Sequence, residues 1–136
     1  MRSVSVLKKR RRPGAAAVEL AVVSPFLVFL FVIAVDFGRI FYFSQTIENC
    51  ARNGAIYGSN LTTAQSPYSN IQQAALADAE NLNPQPTVTS ATGTDASGNA
   101  YVQVTVAWQF KTITTYPGVP SPVNLSRTVQ MRVAPN

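Results

Sequence analysis

The sequence predicts an α+β chain: one long N-terminal helix, membrane-spanning in its first half and amphipathic in its second, covered by a small antiparallel β-sheet with one short extra helix. Three observations lead there. Between Ala15 and Val35 lie 21 residues whose only polar members are Glu19 and Ser24. From Asp36 to Gly58 small and apolar residues recur, at threes and fours in the later part. From Tyr101 to Phe110 apolar and polar residues alternate, which is the period of a half-buried strand.

The first stretch, as a helix, reaches about 31 Å at about 1.5 Å per residue, the thickness of a bilayer core of about 30 Å. A helix of a soluble core needs only one apolar face, so an apolar run this continuous predicts a span. Six of the 11 basic residues precede it: Arg2, Lys8, Lys9, Arg10, Arg11 and Arg12. Flanking positive charge stays in the cytoplasm, so residues 1–14 form a basic cytoplasmic leader that sets orientation, and the C-terminal part is expected to be exported. The basic run also fits a nuclear-import or nucleic-acid patch, but such a patch is not normally followed within three residues by a bilayer-length apolar segment. The formal charge of +5 belongs mostly to this leader, because from Ala15 onward five basic residues face six acidic ones. The body is therefore not basic enough to argue for nucleic-acid binding. One cysteine, Cys50, excludes an internal disulfide.

Pro13 and Gly14 close the leader and are expected to interrupt any helix running on from it. Glu19 is the fifth residue counted from Ala15. A carboxylate at mid-span costs about 2.5–3.5 kcal/mol and by default points to function. Nearer the headgroups, about 10 Å past Arg12, the cost falls. Cleavage after Gly14 would give Ala15 a free amine with a pKa near ~8, and amine and carboxylate could then neutralise one another within or between chains. Pro25 removes one backbone hydrogen bond in mid-span and is expected to bend the helix.

These residues carry a resemblance. RRPGAAAVELAVVSPFLVFLFVIAVDFGRIFY resembles the N-terminal segment of TadE-like pseudopilins, and the similarity extends over roughly residues 11–58, including ARNGAIYG. The resemblance implies a pilin-like fold and a basic leader (Lys8, Lys9, Arg10, Arg11, Arg12). It implies cutting by a prepilin peptidase between Gly14 and Ala15, and an assembly segment that includes Glu19, Leu20 and Pro25. It implies as partners the membrane, the peptidase, other pilin-like subunits and an inner-membrane assembly platform, with the protein a single-pass bacterial inner-membrane protein or part of a filament. Two positions depart from the pattern: Pro13 stands where Arg commonly precedes the Gly, and Leu20 where an aromatic often follows the Glu. Two other origins compete for the apolar run. A secretory signal could be cut after Ala34, yet the run exceeds the 7–15 residues of an ordinary signal core. An uncleaved anchor with a partner-binding exported domain leaves the Gly14 and Glu19 spacing as coincidence.

Past Val35 the helix is expected to continue amphipathically over residues 36–58, with Ile40, Ile47, Cys50, Ala51, Gly54, Ala55 and Gly58 on one face. Gly54 and Gly58 are expected to let a covering sheet approach. Residues 59–136 form the remaining small α+β domain. Within it residues 59–67 read as a polar loop. A short helix capped by Ser66 or Ser69 follows, burying Ile71, Ala75, Leu76, Ala79 and Leu82, and Asn83, Pro84 and Pro86 end it. Thr87 to Ala91 reads as a strand, Thr92 to Asn99 as a turn, and Tyr101 to Phe110 as the main strand with Val102, Val104, Val106, Trp108 and Phe110 on one face. Tyr116 to Pro122 reads as a loop, and Asn124 to Val133 as a closing strand. Histidine is absent, which removes Ser-His pairs and imidazole-held metals. No glycine-rich phosphate cradle follows a strand. The sequence points to no enzyme, no cofactor, no metal and no small-molecule substrate.

Overall fold

A computed structural model of the chain describes residues 13–60, 66–113 and 121–134. The basic leader through Arg12, residues 61–65 of the expected first loop and residues 114–120 of the expected last loop lie outside the described residues. The elements in order are helix α1 (Pro13–Gly58), helix α2 (Ile71–Leu76) with a 3-10 turn at Ala77–Ala79, and strands β1 (Thr87–Thr94), β2 (Ala100–Phe110) and β3 (Val123–Arg132). The chain divides into two compact units, one through Val35 and one from Asp36.

In the first unit the residues from Gly14 to Val35 are helical throughout. The expected interruption of a helix running on from the leader falls on residues outside the described ones, of which Pro13 is the first. Pro13 opens α1, because the first turn has no upstream carbonyl to pair with and loses nothing when an N–H is missing. Pro25 lies inside the helix, where its missing N–H leaves the Ala21 carbonyl without its usual partner four residues on.

The second unit is built on the rest of α1. Ile47, Cys50, Ala51 and Ala55 are fully buried on one stripe, as a 3.6-residue period requires. The stripe is covered by a meander with strand order β1-β2-β3, antiparallel throughout. Val102, Val104 and Val106 of β2 are fully buried, with Phe110 and Leu125 nearly so. Each side chain of this size contributes about 1.5–3 kcal/mol when removed from water. The opposite face of the sheet is polar and almost uncharged, and Thr105 shares a hydroxyl hydrogen bond with Thr128 at 2.8 Å.

Close approach is set by two glycines. A Cβ on Gly54 would stand 3.0 Å from Val104 Cγ1 and 3.1 Å from Ala75 Cβ, and one on Gly58 would stand 2.8 Å from Val102 Cγ2. The expected covering sheet therefore does pack there, joined by α2 through Ile71 and Ala75. Nearer Asp36 the gap widens and aromatic rings fill it. The Phe43 ring lies 4.9 Å from Trp108 and 5.5 Å from Phe110.

Three local expectations shift. The cap of α2 is Asn70, not Ser66 or Ser69: its Oδ1 accepts the Gln73 amide at 2.8 Å, and Gln73 Oε1 accepts the Ser69 amide at 2.9 Å. Ser69 stands one residue, and Ser66 four residues, before the position whose side chain reaches the Gln73 amide. Strand β1 runs through Thr94 instead of stopping at Ala91. Gly93 pairs with Tyr101, whose hydroxyl would be 2.5 Å from a Cβ at Gly93, so the ring covers the bare backbone and pairing continues. The turn then shrinks to Asp95–Asn99. There Asp95 Oδ1 accepts the amides of Asn99 (2.8 Å) and Ser97 (2.9 Å), and the Asn99 amide above all holds the carboxyl below its ordinary range.

Glycine contacts separate two otherwise similar substitutions. Gly58→Ala is expected to lose about 1–3 kcal/mol to overpacking against a buried valine, more than the ~1 kcal/mol that alanine contributes to helix propensity. Gly38→Ala meets nothing within 4 Å and should be neutral or stabilising. Thermal unfolding of the two variants in the same detergent checks both signs.

Candidate functional site

The residues expected to act in processing and assembly fall on one helical segment. Gly14, Ala15, Glu19, Leu20 and Pro25 all belong to α1, and all are exposed. Nothing lies within 4 Å of where a Cβ on Gly14 would be, so the backbone there is open to an approaching protein. Val18, Leu20, Val22, Phe26, Leu27, Val28 and Phe31 are exposed as well. A helix apolar on all sides requires an apolar surround, either lipid or other helices. By length and composition this helix can cross a membrane. Glu19 is the only charged residue from Gly14 to Val35, and among the described residues it makes no ion pair. Lys8, Lys9, Arg10, Arg11 and Arg12 lie outside the described residues.

The second unit holds polar groups that the sequence did not single out. Asp36 is only 5% exposed. Both its oxygens accept the Ile113 amide at 3.1 Å, and Oδ1 meets Arg39 Nη1 at 3.2 Å. The Arg39 guanidinium in turn sits 4.8 Å from the centre of the Phe110 ring, a cation–π distance. One carboxylate thus clips the segment after β2 to the helix. Arg127 lies on the apolar side of β3, opposite Val106, where it bonds Ser44 Oγ and approaches Glu48 at 3.9 Å. The alternation of β3 does place position 127 with Leu125 and Val129, which was the available signal; what it lacked was the helix partner.

Among the described residues no three metal-ligating side chains cluster. A depression of about 510 Å³ beside Trp108 is lined by Pro84, Gln85, Thr87, Asn124 and neighbours that carry no charge. Cys50 is fully buried, and burial, with the nearby Asp78 charge, pushes its thiol up to about 11.

Two measurements follow from these environments. Cys50 should resist thiol reagents near neutral pH in the folded chain. Because its folded pKa lies above the unfolded value, its contribution to stability is whole below the unfolded pKa and fades as pH rises toward 11. Denaturation followed from pH 8 to 11 checks the sign against Cys50→Ala, which should lose less stability on the way up. Asp36→Ala is expected to speed Ile113 amide exchange tenfold or more, the loss of about 1.5–3 kcal/mol that a charged hydrogen bond provides.

No curated protein and no solved structure matches the chain. The family model described as TadE-like protein matches residues 14–55. The match begins at the open glycine and runs through Glu19, Pro25 and the Asp36–Arg39 pair to Ala55, so over this segment, less than a third of the chain, the sequence is similar to TadE-like proteins.

Proposed function

We propose that this protein is a minor pilin or pseudopilin of a Tad-type pilus or secretion system. On this reading a prepilin peptidase cuts it after Gly14, and it assembles through its hydrophobic N-terminal helix. The observation that carries the proposal is the coincidence of the TadE-like match with the exposed apolar face of Gly14–Val35. The span is inserted with its leader in the cytoplasm, because six basic residues precede it.

Cutting exposes a positive amine at Ala15, and Glu19 is then the fifth residue of the cut chain. In an apolar surround a lone carboxylate is costly, and a neighbouring subunit's new terminus neutralises it. The pair then selects one register among greasy helices that would otherwise pack in many. Pro25 leaves a carbonyl for a neighbouring polar group to satisfy. The partners are the peptidase, other pilin-like subunits and the assembly platform, and the part from Asp36 onward is exported.

Terminal sequencing of protein extracted from membranes that contain the peptidase tests the cut. A start at Ala15 is expected, and Gly14→Leu should leave Met1 intact. A wild-type start at Val35, or an intact wild-type terminus, overturns the processing step. Glu19→Ala and Glu19→Gln should both be cut, yet co-purify with filaments about tenfold less, equivalent to about 1.4 kcal/mol. Parental assembly by both variants overturns the register role.

A further inference from the structure

The end of the second unit that begins at Asp36 exposes large apolar side chains in a pattern its core does not explain. Phe37 is 71% exposed, Phe41 67%, Tyr42 58% and Ile113 60%. Phe37 and Phe41 are one helical turn apart, so they share a face. Ile113 comes from a different element. The bonds from its amide to the Asp36 carboxylate hold it beside the same turn of helix. Arg39, on the same helix as Phe37 and Phe41, and Lys111, two residues before Ile113, line a cleft of about 200 Å³ with Asn83, Gln109, Trp108 and Phe110.

Depth follows from the chain. Phe37 and Phe41 come two and six residues after Val35, about 3 Å and 9 Å of helix at about 1.5 Å per residue, and helical side chains lean toward the N-terminus, which carries the Phe41 ring back toward the bilayer. The headgroup layer on each side of a bilayer is about 5–7 Å thick. Aromatic side chains concentrate at that level, and a basic side chain near it is attracted to an anionic lipid headgroup. Asp36 and Arg39 at this end neutralise one another, so Lys111 supplies the net positive charge of the cleft.

We propose that this end of the second unit is a lipid-binding rim. Phe37, Phe41 and Ile113 enter the headgroup layer, and the Arg39–Lys111 cleft takes the phosphate of an anionic lipid. The proposal rests on the membrane-spanning reading of Gly14–Val35 and adds a second, non-helical contact with the bilayer. That contact limits how freely the exported part can swing before assembly.

The test uses the full chain in vesicles of phosphatidylcholine, with and without phosphatidylglycerol, in a Cys50→Ala background. Spin labels are placed singly at Leu27→Cys, Phe41→Cys, Ile113→Cys and Gln72→Cys, and their exposure to oxygen and to a water-soluble relaxant is compared. The expected result is a deep label at position 27, headgroup-level labels at 41 and 113, and an aqueous label at 72. Phosphatidylglycerol should draw the label at 113 deeper, and Lys111→Gln should abolish that increment. A deep label at 27 with an aqueous one at 113 overturns the rim while leaving the span intact. An aqueous label at 27 overturns the span and the rim together. Protection at 113 that grows with the protein-to-lipid ratio assigns the surface to a second copy of the chain and overturns the lipid reading.

Discussion

The absence of side chains at Gly54 and Gly58 is the constraint on which the second unit depends. Val104 and Val102 of β2 stand 3.0 Å and 2.8 Å from where a Cβ on Gly54 and on Gly58 would be, so the sheet seats against the helix backbone itself. Everything else in the packing follows from that seat. β2 runs back along the helix, from Val102 beside Gly58 to Phe110 beside Phe43 and Arg39. The small residues at one end and the stacked rings at the other are complementary fillings of one widening gap. Interiors pack at crystal-like density, so neither filling can be exchanged for the other.

Polar groups define the edges of this core. Asp36 clips the segment after β2 to the first turn of the unit, and Arg127 reaches Ser44 and Glu48 from the apolar side of β3. At the other end the Ala134 amide bonds the Ser59 carbonyl at 3.0 Å, just where Asn60 (φ 62°) ends the helix. Asn60 is one of the few residue types that adopt this left-handed conformation at little cost. A buried donor or acceptor left unpaired costs about 1–3 kcal/mol, so these bonds reinforce the register that the buried valines set.

The TadE-like segment, residues 14–55, covers two different physical tasks. Its first part is apolar all round and finds no burial within its own unit, as an element made to be covered by lipid or by other helices must be. Its second part is the floor of a core. The boundary between them, at Val35 and Asp36, is where a run whose one charge is Glu19 meets its first paired carboxylate.

The sequence by itself determined the class of each long element, because period and composition are local properties. Twenty-one nearly unbroken apolar residues specify a span-length helix, the stripe through Cys50 and Gly54 specifies its amphipathic continuation, and the alternation from Tyr101 to Phe110 specifies the central strand. Short elements were less legible. Asn70 against Ser69 as a cap, or Thr94 against Ala91 as a strand end, turns on one reciprocal bond and on one ring lying over Gly93. Tertiary structure alone decided the partners. No local pattern joins Asp36 to an amide 77 positions away, or turns Arg127 from an interruption of an apolar face into its link with Ser44. Hydrogen bonds over such distances depend on how the sheet sits on the helix, and that is settled only when the glycines and valines have met.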